Sequence, residues 1–191
     1  MKNIILSTAV SVFFLAACNN ETRKNETTSA ADTMLAAASD TTTKSQQESP
    51  IQNILSAYLQ LKTALAKDND KDAGSSGKAL EAAFADFDKS ALPADKTKLY
   101  DDIAADAKEH AEHIGTNAGN IKHQREHFET LSQDMYDLVK GFGAGQKLYV
   151  NHCPMYNENK GANWLTESKE ISNPYLGQSM PTCGTVKEEL N

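Results

Sequence analysis

Soft sulfur ligands are scarce in this chain of 191 residues, which has three Cys and five Met. Tryptophan occurs once, and aromatic residues make up 7% of the whole. Basic charge is also short. Lys and Arg total 19 against 26 Asp and Glu, for a net charge of −7. Phosphate backbones are held by a basic face, so this balance excludes a nucleic-acid partner. No Gly-rich phosphate loop is present. No apolar run is long enough to cross a bilayer, since the longest, over 4–17, falls short of a spanning helix. No Cys-x-x-Cys pair occurs, and no Ser/His/Asp set can be assembled. Without a nucleophile beside a positioned base, the sequence gives no reason to expect an enzyme.

The start of the chain indicates an address. Lys2 precedes the apolar run over 4–17, which ends in Leu15-Ala16-Ala17-Cys18. That tetrapeptide resembles the lipobox of bacterial lipoprotein signal peptides. The resemblance implies cleavage before Cys18 and diacylation of its sulfur, with more than one acyl chain giving stable membrane anchoring. The expected location is the bacterial cell envelope, lipid-anchored and facing the periplasm or the cell surface. The expected organisation is a signal peptide over 1–17, a flexible tether over 18–48 and a folded part over 49–191. The tether is rich in Asn, Thr, Ser and Ala and carries too little apolar surface to offset its ordering entropy.

From Ser49 onward the periodicity is helical. Ser49, Pro50 and Gln52 read as N-cap, first helical residue and capping-box partner. Ile51, Ile54, Leu55, Tyr58, Leu59 and Leu65 keep helical spacing to about 68. A second helix is expected over 72–89, where Gly74 and Gly77 either weaken the first turn or let another helix approach. A third is expected over 94–114, stopped by Gly115, and a fourth over 120–140, closed by Gly141, Gly143 and Gly145. Four amphipathic helices with short connections predict a mainly α, up-and-down bundle. From about 146 the chain becomes a loop-rich cap, with a short strand expected over 146–150. Asp68, Asp70 and Asp72 faintly suggest a calcium loop, but the residues after Asp72 break the required spacing.

Two groups of residues could carry chemistry. In the cap, His152-Cys153-Pro154-Met155 faces Met180-Pro181-Thr182-Cys183-Gly184 across some thirty residues. Thiolate and thioether donors select Cu(I), and thiolates also suit zinc. Cys153, Met155, Met180 and Cys183, with His152 as an auxiliary, therefore form one candidate metal site. The competing reading is a structural Cys153–Cys183 disulfide, with Met155 and Met180 as core filler. The second group is His110, His113, His123 and His127, four of the five histidines. The pairs are three and four residues apart, so each shares a helix face, and a hairpin turning at 115–119 would bring His113 and His127 together. Here a second metal site competes with a merely solvated face that also holds Lys108, Glu109, Glu112, Lys122 and Glu126. Trp164 is expected in the core.

The folded part over 51–186 resembles a bacterial family of unknown function found as small secreted proteins or lipoproteins. That family also occurs fused to periplasmic adaptor subunits of copper/silver efflux pumps. The resemblance rests on the run from Ile54 to Leu65, on Gln124-Arg125-Glu126-His127-Phe128, and above all on the cap motifs. Those are His152-Cys153-Pro154-Met155, Gly161-Ala162-Asn163-Trp164-Leu165, Ile171-Ser172-Asn173-Pro174-Tyr175 and the stretch from Met180 to Gly184. Cys153-Pro154-Met155 with Cys183-Gly184 is also similar to the short heavy-metal modules of copper exporters, although Met180 and Thr182 stand where those carry a second Cys-x-x-Cys. The resemblance implies a helical bundle with a copper-linked role, as chaperone or accessory to a heavy-metal efflux adaptor. The alternative is a metal-free interaction module stapled by Cys153–Cys183.

Overall fold

A computed structural model describes residues 49–191. The expected signal peptide, tether and lipidated Cys18 lie outside the described residues. Four helices follow one another: α1 (Gln52–Ala66), α2 (Asp70–Ala85), α3 (Ala94–Thr116) and α4 (Ile121–Phe142). Each packs chiefly on the next, as the short connections require. Three antiparallel strands follow, β1 (Leu148–Cys153), β2 (Ala162–Thr166) and β3 (Thr185–Leu190), in the order β2-β1-β3. The fold is thus mainly helical with a small C-terminal sheet. No helix among the described residues is long and apolar enough to cross a membrane.

The sheet lies against α4 through β2. Tyr58 of α1 is fully buried and joins three elements. Its ring stacks on Phe128 of α4 at 5.3 Å, its hydroxyl bonds Ser132 at 2.8 Å, and it accepts the Leu165 N–H of β2 at 3.1 Å. Trp164 is 1% exposed, in the core as its composition suggested.

Several local signals resolve differently from their sequence reading. Ser49 does more than cap α1. Its hydroxyl accepts the Ile51 N–H at 3.4 Å and donates to the Gly143 carbonyl at 2.6 Å, tying the entry of α1 to the exit of α4. Gly115 does not stop α3, which runs on to Thr116. It lies instead in the crossing with α2, where a Cβ on Gly77 would stand 2.8 Å from the Gly115 nitrogen and 2.9 Å from the Ala111 oxygen. Of the two roles open to Gly77, close helix approach is the one it fills. The α3–α4 turn falls where expected. Asn120 caps α4 by accepting the His123 N–H at 3.3 Å. Asp68 forms no calcium loop, since it pairs with Arg125 while Asp70 and Asp72 occupy the first turn of α2.

Candidate metal centre

The α3–α4 hairpin brings all four of its histidines into one cluster. Running antiparallel from the turn, α3 presents His113 and then His110, and α4 presents His123 and then His127. The His113 and His127 rings stack at 4.3 Å and 5°. His123 meets His127 edge-on at 4.5 Å, and His110 lies 5.1 Å from His127. One ring nitrogen from each of His113, His123 and His127 falls within 4.8 Å of the other two. Nitrogens bound to one tetrahedral ion at 2.0–2.1 Å stand about 3.3 Å apart, so small ring rotations suffice to close the set.

The electrostatics suit a cation. Glu109 lies 3.9 Å from His113 and Glu126 lies 3.5 Å from His123, both near enough to offset positive charge. A groove of about 570 Å³ beside His113 is lined by Glu81, Glu109 and Glu112 among others, and gives an acidic approach. Burial, with the neighbouring His113, His123 and His110, holds the His127 pKa below its usual value. Its imidazole is therefore neutral near pH 7, which ligation requires. The rings contact one another on a face that is also partly solvated, with the His113 side chain 45% exposed and Glu126 52%.

A second group adjoins the first, and the sequence reading missed two of its members. Asp106, His110 and Asp134 each offer a ligand atom within 4.8 Å of the others. The signal was spacing alone: Asp106 sits one helical turn before His110, and Asp134 two turns after His127. The Asp134 Oδ2 is buried without a hydrogen-bond partner. Burial, then the charges of Asp106 and Asp137, push the Asp134 pKa from 3.8 up to about 7. The fold thus keeps a proton that the unfolded chain releases as pH rises past the carboxylate range. This contribution is complete below pH 3.8 and fades as pH climbs through 7. Asp134→Asn should therefore match the wild type in unfolding free energy, measured by denaturant titration, near pH 4 and exceed it by about 1–2 kcal/mol near pH 8, allowing for solvent screening. A difference that does not change with pH would show that folding does not raise the Asp134 pKa.

The cap brings its two thiols together, with the Met155 backbone against the Cys183 sulfur. Cys153 ends β1, fully buried, and Cys183 precedes β3. Both are free, with Sγ atoms 3.0 Å apart. The hydrogen bond to Cys153, then burial, raise the Cys183 pKa, which disfavours the thiolate that a metal needs. His152 is the clearest correction. Neighbours on a strand point to opposite faces, so its ring turns away from Cys153 and bonds Asn163 Oδ1 across the sheet at 2.8 Å. Met155 is 50% exposed and Met180 39%, so neither is core filler.

The cap motifs instead explain how the cap is built. Asn173 is fully buried and accepts the N–H groups of Tyr175 and Leu176. Its amide donates to the Cys183 carbonyl, and its own N–H bonds Pro181. Gly184, at φ +151°, leaves room for Trp164, which a Cβ would approach to 2.9 Å.

Residues 54–147 match a family described as protein of unknown function (DUF3347). The matched segment takes in the whole histidine cluster and ends before β1, leaving the cap outside. No curated protein and no solved structure matches the chain.

Proposed function

We propose that the protein is a metal-binding helical bundle of the cell envelope, anchored through Cys18, which holds and hands on a borderline cation at His113, His123 and His127. The convergence of three imidazoles from two facing helices carries this reading. Imidazole donors without thiolate suit Cu(II) or Zn(II) rather than Cu(I). Three protein ligands leave a coordination position for water or an acceptor's ligand, as a carrier needs. The lipobox-like start supports the envelope location. The likeness to a family also found fused to copper/silver efflux adaptors favours copper as cargo and such an adaptor as partner. The cap serves as the structural lid of the bundle, stapled when Cys153 and Cys183 are oxidised.

The test is a competition titration against a chromophoric chelator, with Cu(II) and Zn(II) in separate arms. His127→Ala should weaken binding of the preferred ion by about 100-fold, the scale of losing one ligand or its support. The Met155→Leu/Met180→Leu double variant should bind as the wild type does, since a volume-conserving swap leaves the fold intact. Equal affinity in wild type and His127→Ala would overturn the assignment, and a loss confined to the methionine variant would move the site to the cap.

A further inference from the structure

We propose that Asp106, His110 and Asp134 form a second cation site, coupled to the three-histidine site so that one ion occupies either but not both with equal strength. The coupling rests on the function proposed above; the second site rests on its own geometry. Two carboxylates and an imidazole converge within 4.8 Å, and the Asp134 Oδ2 is buried without a partner. A cation would satisfy that oxygen and neutralise the pair of carboxylates, which otherwise repel each other. Mixed carboxylate and imidazole donors are harder than three imidazoles and accept Zn(II) or Mn(II) as well as Cu(II).

The coupling follows from a single hydrogen. His110 Nδ1 and His127 Nδ1 lie 2.9 Å apart, so one donates and the other accepts. When His127 binds an ion through Nε2, its proton sits on Nδ1 and is donated to His110. His110 must then carry its own proton on Nε2, the atom 3.7 Å from Asp106. When His110 binds an ion through Nε2 together with the two carboxylates, the bond reverses. His110 donates from Nδ1, and the proton of His127 moves to Nε2, where it blocks ligation. Neutral imidazoles cannot satisfy both sites at once. Double occupancy requires either breaking the 2.9 Å bond or losing a further proton. An ion moving from one site to the other exchanges the tautomers of both rings without adding or removing a ring proton.

The experiment uses the folded protein with Zn(II) alone, following affinity and stoichiometry by competition titration, with circular dichroism to confirm folding. The wild type should bind one equivalent, and a second at least about tenfold more weakly. His123→Ala should still bind one equivalent, about 10–100-fold more weakly than wild type, and adding Asp106→Asn with Asp134→Asn to it should abolish binding. The carboxamide pair alone should leave the first equivalent intact. Imidazole ¹⁵N spectra should show His110 protonated on Nε2 in the zinc-loaded wild type and on Nδ1 in zinc-loaded His123→Ala. Zinc affinity of His123→Ala that is insensitive to the carboxamides would overturn the second site. Two equivalents of equal affinity in the wild type would overturn the coupling. Wild-type binding unchanged by His123→Ala but abolished by the carboxamides would overturn the three-histidine reading and leave the second site standing.

Discussion

Oxidation of the reduced protein is expected to raise its unfolding free energy by about 3–4 kcal/mol, because a Cys153–Cys183 bond closes a loop of about thirty residues in the unfolded chain. The two sulfurs already lie 3.0 Å apart with both thiols free, so joining them needs little backbone movement. The surroundings hold them there. Cys153 is fixed at the end of a buried strand, and the Cys183 carbonyl is held by the Asn173 amide. The measurement is guanidinium denaturation with and without reductant, compared with Cys183→Ser. That position is partly exposed, so the substitution leaves the fold intact. Oxidised wild type should unfold at clearly higher denaturant than both reduced wild type and the variant. Coincident midpoints would show that the cap stays reduced or that the bridge is strained. Oxidation also separates the two metal readings. It removes both cap thiols as ligands at once, yet should leave the affinity of the histidine cluster unchanged.

Gly77→Ala is expected to destabilise the bundle by about 1–3 kcal/mol, the range for overpacking a close contact. The sign is the informative part, since alanine is the better helix former by about 1 kcal/mol and would stabilise an exposed helix. At Gly77 the new Cβ would meet backbone atoms of Ala111 and Gly115, which cannot rotate away as a side chain can. The helices must separate, and α3 carries His110 and His113 beside that crossing. Thermal unfolding should shift down by roughly 3–10 °C for a domain of this size. Binding at the histidine cluster should weaken with it. Ser75→Ala, on the exposed side of α2, should change stability by no more than about 0.5 kcal/mol. A Gly77→Ala protein as stable as wild type would mean that α2 and α3 pack less closely than the structure describes.

Local chemistry was enough to read the four helices and the His113–His127 contact. The spacing of Ile54, Tyr58 and Leu65, or of Phe128, Leu131 and Met135, is set by the 3.6-residue period, and each hairpin neighbour is only a few residues away in sequence. The helical stop at Gly115 was misread, and the second role of Ser49 was hidden, because both residues serve distant partners, Gly77 in one case and Gly143 in the other. A strand was legible near 146–150, where β1 begins, but its pairing was hidden. β1 pairs with β3 across some thirty intervening residues, and nothing within Leu148–Cys153 signals that pairing.

The sequence by itself determined the bundle, the acidic charge, the lipobox-like start and the residue types able to take a metal. Tertiary structure alone decided which of those residues meet. Cys153 and His152 are adjacent in the chain but face opposite sides of a strand, so sequence proximity misled. Asp106 reaches His110 from one turn away on the same helix, whereas Asp134, distant in the chain, reaches it because α3 and α4 run antiparallel. A helix or strand fixes where its own side chains point, and only the packing of one element on another fixes what they point at.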